Sequence, residues 1–467
     1  MPRFLFISIL GFLYASTAFA QSPQEPKKDP SLFMIVSPDQ FHTALKDYVQ
    51  QKQKLFKVEL VSLERTLKTT AGADDPEKVK RFLYDAYRKN HLKYVLLVGD
   101  IDVFPVRYMV LDRVTPAAFD YSFYPSDLYY SDLAKKDGSF EDWNARKEGF
   151  HVHYFGEVRG EKNKKDPINY DQIEYHPKIA VGRWPVSTPA EVNIVATKSL
   201  AYEKSILDGN HPGLHKMGLF HVGGWVDARN QLEKIASEMP MAWKAERYFF
   251  SNDNPKFKTL PPNEKNVLAL LNEGSSLVVH AGHGSENTWE GCFSVGSLAR
   301  VKNSDRLPIM ISVGCSTSYF APLPPYEAYV DIQGQEHIGT NRGEVFKEPP
   351  PPPAPYQKGK YNPTGLGEQV LKRGLNGAVA YIGCNTGSQP CALTLLDGFM
   401  MTLRKAPHPH LGDCWSSAIS YYYAKEGLAR LKPSDDWYPP SIFFQGMKFM
   451  VFGDPTLPLA VQENEEK

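Results

Sequence analysis

The residues best suited to chemistry stand at the ends of apolar runs. "SSLVVHAGHGSENTW" (275–289) climbs to His280 and His283, and "LPIMISVGCS" (307–316) ends on Cys315. The thiolate is the reactive form of cysteine, and histidine is its usual activating partner. Both runs read as strands. In parallel α/β sheets ligands sit beyond the carboxyl ends of the strands, so adjacent parallel strands would carry His283 and Cys315 to one edge. Gly282, Gly284 and Gly314 flank these groups. Glycine permits tight turns there and lets backbone N–H groups approach a reacting carbonyl, as an oxyanion hole requires.

Other readings of the same residues stay open. A cysteine at a strand end is often inert core. Cys384 closes "AYIGCNTG" (380–387) and is the rival nucleophile, although no histidine adjoins it in sequence. His280 and His283 could be a metal pair, but no third ligand has clear spacing, so no metal is assigned. His280 reads instead as a structural neighbour pointing to the other face of its strand.

The elements that must position these groups follow an α/β pattern. "SLFMIVSP" is a strand, and Asp39 is placed to cap the helical "DQFHTALKDYVQQKQKL" that follows. "FKVELVSLE" is a strand, "PEKVKRFLYDAYRKNHL" an amphipathic helix with Pro76 at its start, and "KYVLLVGDIDVFP" a strand buried on both faces. "KIAVGRWPV" (178–186) is another strand, and Thr188 with Glu191 forms a capping box for the next helix. After the linker-like "DGNHPGLH" (208–215) the logic repeats, with strands in "KMGLFHVGG", "SSLVVHAGH", "LPIMISVGCS", "NGAVAYIGCN" and "FMVFGDPTLPLAV". Helices are expected in "ARNQLEKIASEMP", in "NEKNVLALLNEG", which Gly274 ends, and in "LGEQVLKRG". Five consecutive prolines (349–353) cannot join a helix or sheet interior and predict a polyproline II surface loop in an insertion at about 321–363.

Composition bounds the functional class. Lys+Arg and Asp+Glu both total 53 in 467 residues, so no overall field steers the chain to nucleic acid. At the N-terminus Arg3, the apolar stretch from Phe4 to Tyr14, and Ala18-Phe19-Ala20 fit a signal peptide over 1–20, cut after Ala20. No later run is long enough to span a bilayer. The expectation is an exported protein, periplasmic or extracellular, beginning with a linker at 21–31. Five cysteines are an odd count, which leaves at least one thiol unpaired within the chain, and Cys315 is expected to be free.

These blocks resemble the gingipain family of secreted bacterial cysteine peptidases. The family marks its catalytic histidine with a strand followed by His-Gly-Ser-Glu-x-x-Trp, and this chain has "HGSENTW" at 283–289. Its nucleophile follows a second strand, usually as Ala-Cys; here the pair is Gly314-Cys315, 315 − 283 = 32 residues on. "YVLLVGDIDVFP", "SDLYYSDL", "IAVGRWPV" with "AYEK", "GAVAYIG" and "VFGDPTL" follow the family order over about 32–460.

The resemblance implies a caspase-like α/β fold of two subdomains, each with a mainly parallel sheet flanked by helices. These would be residues 32–207 and a catalytic unit at 208–460, with a tail at 461–467. It implies an endopeptidase in which Cys315 attacks and His283 protonates the leaving amine, with the N–H groups of Gly284 and Cys315 holding the oxyanion. Asp227 is the candidate for an acidic third group, against an alternative as a helix N-cap. Trp289, Asn385 and Thr386 fall where members line the substrate pocket. No carboxylate can be assigned to the base of that pocket. No cofactor is required, a structural calcium is left open, and the partners are protein or peptide substrates. A weakly active or inactive relative that binds peptides or proteins, and a transpeptidase using the same thioester, remain as alternatives.

Overall fold

A computed structural model of the chain describes residues 29–110, 123–143, 168–169, 173–224, 226–250, 259–347, 350–357, 359–406, 408–432 and 438–459. The expected signal peptide and tail lie outside these residues, as does most of the linker.

Ten strands make one continuous sheet. They are β1 (Asp29–Ser37), β2 (Phe56–Ser62), β3 (Leu92–Val98), β4 (Ala180–Trp184) and β5 (Lys216–His221), then β6 (Lys244–Phe249), β7 (Leu277–Ala281), β8 (Ile309–Ser312), β9 (Ala380–Cys384) and β10 (Phe449–Phe452). Their order across the sheet is β2-β1-β3-β4-β10-β9-β8-β7-β5-β6. Every neighbouring pair is parallel except β9 and β10. The sheet is therefore two parallel halves running in opposite directions, and their carboxyl edges lie on opposite margins. The two sheets expected from the sequence correspond to these halves, but they are joined. β10, read with the second unit, lies between β4 and β9.

Alternation along the buried strands sends side chains to two apolar layers. Leu277, Val279, Ile309, Ile311 and Ile382 join Val95, Leu97 and Val181 on one face. Val278, Met310 and Tyr381 join Tyr94, Leu96 and Phe452 on the other. Each layer spans both halves, and each fully buried aliphatic side chain contributes about 1.5–3 kcal/mol.

Most helix signals hold. Asp74 caps the helix Asp75–Asn90 through Glu77 N–H (3.0 Å), and the Thr188–Glu191 capping box starts the helix Pro189–Leu207. Asp39 is not a cap; a short 3-10 turn, Asp39–Phe41, precedes the helix His42–Lys52, and the Asp39 N–H donates to Glu64 (3.0 Å). Two long helices, Ala392–Lys405 and Leu411–Lys425, and the edge strand β6 were not expected.

Buried cations bind segments distant in sequence, and two of them, Lys372 and Lys198, join one half to the other. Arg183 of β4 makes two 2.7 Å bonds to Asp127 and one of 2.8 Å to the Gly99 carbonyl. Lys52 is buried against Glu203 and against Asp454 (3.0 Å), which follows β10. Lys372, in the helix Leu366–Lys372, reaches Asp100 after β3 (3.0 Å). Lys198 donates to the carbonyls of Val370, Leu371 and Asn376 (2.8–2.9 Å). Its burial pushes the ammonium down to about 7.

The proline-rich insertion is docked rather than free. Pro355 accepts from Val106 N–H (3.0 Å), Gln357 N–H donates to Ile101 O (3.0 Å), and the buried Gln357 amide accepts from Val330 N–H (2.8 Å) and donates to Val330 O (3.1 Å). These contacts tie residues 355–357 of the insertion to the segment after β3.

Removing a buried charge's partner strands the other charge, at a cost of about 3–5 kcal/mol. Arg183→Met should lower stability by that order in urea unfolding. A change below about 1 kcal/mol would remove Arg183 from its assigned role.

Candidate active site

Strand register sets the site. β8 lies between β7 and β9, with Ser312 opposite both His280 and Gly383. His283 lies 283 − 280 = 3 residues past one member of that row, and Cys315 lies 315 − 312 = 3 past another. The two groups leave the sheet at the same height and line one open cleft of about 490 Å³. Gly224, Val226, Ala228, Ala281, Gly282, Val313, Ser388, Gln389, Pro390 and Leu393 complete its walls.

The turn carrying Cys315 is held from three sides. Val313 N–H donates to His280 O (3.0 Å), Ser316 N–H to Thr386 O (2.8 Å), and Ser318 N–H to Cys384 O (2.9 Å). Ser316 has φ +53°, a left-handed conformation that serine rarely adopts. These bonds over-determine the turn, as such strain requires. The half-buried Cys315 sulfur accepts from Ser388 N–H (3.3 Å) and lies 3.6 Å from Ser388 O.

Glycine at 314 fits this packing. A Cβ there would come within 2.9 Å of both Gly282 O and the His280 ring. Gly282 has φ +130°, and a side chain would meet Gly223 O at 2.1 Å, so the loops after β5 and β7 can touch only through bare backbone.

His283 is exposed at the rim. The hairpin that follows it begins with Gly284 opposite Trp289, and Glu290 N–H donates to His283 O (3.1 Å). That bond makes Gly284–Trp289 a non-hydrogen-bonded pair, which leaves the Gly284 N–H outside the hairpin ladder. Gly284 also lies against Cys315: a Cβ would sit 3.1 Å from the Cys315 carbonyl.

His280 faces the other way. It is fully buried, stacked on Trp289 (4.7 Å between centroids, 3° between planes), with Nδ1 2.8 Å from Ser312 Oγ. Burial, with His221 nearby, pushes its imidazole down to about 3, so it is neutral. A metal pair with His283 does not form.

Several expected pocket residues lie elsewhere. Trp289 is fully buried and donates to the Tyr381 hydroxyl (2.8 Å), so it fastens the hairpin to the core instead of lining the cleft. Asn385 is buried and donates to Pro125 O (2.6 Å). Thr386 is buried too and reaches the site only through its carbonyl bond to Ser316. The cleft wall is supplied by the next turn, Ser388 to Leu393, and by the segment after β5.

Asp227 is occupied by Arg229, with two 2.8 Å side-chain bonds and a 3.0 Å bond from Arg229 N–H. The guanidinium holds its carboxyl well below the usual range, at about 2. Its other neighbour is His221 (3.7 Å). Among the described residues, no carboxylate hydrogen-bonds to His283. Nor is Asp227 the N-cap offered as its alternative: Ala228 holds that position before the helix Arg229–Glu238, and Asp227 stands one residue earlier.

The rival nucleophile is disfavoured by burial. All five cysteines are unpaired. Cys292 and Cys384 are buried, and burial pushes each thiol up to about 12. Burial also raises Cys391 and Cys414, which leaves Cys315 as the cysteine facing a cleft.

The model of the family described as Peptidase family C25 matches residues 25–460. The chain belongs to peptidase family C25. Curated relatives of this family include gingipain R2 and gingipain R1 of Porphyromonas gingivalis, each 23% identical over 69% and 68% of this chain respectively. The chain spans only 37% and 27% of their lengths. Solved C25 structures share the fold. A complex of the pro- and mature domains of P. gingivalis RgpB superposes with a TM-score of 0.60 at 16% identity, covering 92% of this chain and 80% of that one. The Arg specific cysteine proteinase gingipain R gives 0.59 at 17% identity over 94% and 80%. These neighbours identify the fold as caspase-like.

Two outcomes follow from this geometry. His280 has its proton affinity depressed by folding, so between about pH 6.5 and 3 the unfolded chain binds a proton that the native chain does not. Stability therefore falls as pH falls through that window, by up to about 1.4 kcal/mol per pH unit from this group. His280→Gln should remove that component from the stability–pH curve, and superimposable slopes would refute the assignment. Gly314→Ala should cost about 1–3 kcal/mol through overpacking, measurable by thermal unfolding; an unchanged melting temperature would show that the turn can relax.

Proposed function

We propose that this C25 chain is an exported cysteine endopeptidase working through Cys315 and His283. The observation that carries the reading is the shared three-residue offset, which brings a thiol and an imidazole to one cleft at one sheet edge. Cys315 gives its thiol proton to His283, and the Sγ bonds to the carbonyl carbon of the substrate. The carbonyl electrons move onto oxygen, and the N–H groups of Gly284 and Cys315 stabilise that charge. The carbon–nitrogen bond then breaks as His283 delivers a proton to the departing amine, leaving a thioester. Water, deprotonated by His283, releases the acid and restores the thiol.

Support for the oxyanion role comes from the hairpin register that frees the Gly284 N–H. The Cys315 N–H donates to no group among the described residues. Export rests on the signal-peptide pattern at 1–20 and on the secreted family the chain resembles. No described helix is long and apolar enough to cross a membrane.

An electrophilic peptide probe tests the nucleophile. The exported protein should be labelled once, and the label should disappear in Cys315→Ala and persist in Cys384→Ala. His283→Ala should slow labelling by about 10²–10⁴-fold. Labelling that survives Cys315→Ala would sink the proposal.

A further inference from the structure

We propose that the cleft beside Cys315 selects an uncharged aliphatic side chain, of leucine or methionine size, at the substrate residue preceding the scissile bond. This rests on the peptidase reading above and adds the substrate class. The walls carry the argument. Val226, Ala228, Val313, Pro390 and Leu393 present hydrocarbon, whereas Gly224, Gly282 and Ala281 contribute almost no side chain and leave the space open. Val226 is 40% exposed, so its hydrocarbon is open to an incoming side chain.

Charge points the same way. Among the described residues, no Asp or Glu lines the cleft. Asp227 stands between two lining residues in sequence, but Arg229 takes both of its oxygens, so the pair offers no net negative charge. A guanidinium or ammonium entering an apolar wall would lose water without gaining a counter-ion, which is unfavourable. An aliphatic group loses nothing comparable and buries apolar area. The solved relative described as Arg specific shares the fold, and its specificity does not follow from the fold.

Ser388 and Gln389 also line the wall, but Ser388 Oγ and Gln389 Oε1 are buried within it, so these two atoms do not offer a charge or acceptor to the incoming side chain.

The test is a panel of electrophilic peptide probes that differ only in that residue: Leu, Met, Ala, Phe, Lys, Arg and Asp. Leu or Met should label Cys315 fastest, on the order of 10²-fold faster than Arg or Lys. Leu393→Glu should raise the Arg and Lys rates relative to Leu, with folding checked by circular dichroism. Arg, Lys, Asp or Phe reacting fastest with the unmodified protein would overturn the inference and leave the peptidase reading intact. Failure of every probe to label Cys315 would overturn the peptidase reading, and the inference with it. Unchanged selectivity in a folded Leu393→Glu protein would remove that wall from the specificity site.

Discussion

The parallel register of β7 and β8 is the constraint on which the site depends. A slip of one residue would move His280 from the core to the opposite face and carry Cys315 away from the height of His283. Register is strongly specified where both faces are buried, and here it is. The stacked pair of His280 and Trp289 on one layer, and Val279 with Ile311 on the other, fit only one alignment. Core packing and the chemistry at the rim are thus one problem. The residues that look like spectators set the relative position of the two that face the cleft.

Much of this was legible in the sequence. Apolar runs without polar alternation announced buried parallel strands, and caps such as Thr188 with Glu191 marked helix starts. The carboxyl-edge rule then placed His283 and Cys315 together and demoted His280. What stayed hidden depends on distant packing. Trp289 looks like a pocket residue until Tyr381, 92 residues on, is brought beneath it and His280 stacks on its ring. Asn385 and Thr386 share a loop with the true wall residues, and only the burial of that loop's first turn separates them from Ser388 and Gln389. Gly398 interrupts the helical pattern of Ala392–Lys405, yet it faces Ala418 so closely that a Cβ would lie 2.8 Å from its backbone. Single-sequence periodicity has no access to that contact.

Polar groups inside the fold play a different part from those at the rim. Buried lysines that reach from one half to the other, Lys372 and Lys198, must each find carbonyl or carboxylate partners, because an unpaired buried charge is strongly unfavourable. Such groups do not add much net stability over hydrocarbon. They make a wrong docking of the halves costly, which favours one relative placement. The joint itself is the antiparallel pair β9–β10, whereas β10 meets β4 through the single ladder pair Phe452–Arg183, and that arginine is bound to Asp127.

The position of β10 also sets the order of assembly. The last strand of the sheet in chain order occupies its middle, between partners that are synthesised long before it. Until residues 449–452 leave the ribosome, β4 and β9 each present an open edge able to pair with another chain. Sequence separations of this size make the closing step slow and expose the intermediate to aggregation. The molecule therefore cannot mature progressively from its N-terminus. Its halves must wait, with edges uncovered, for the final insertion, and a holding factor or a short delay between synthesis and completion would matter more for this topology than for one whose last strand lies at the margin.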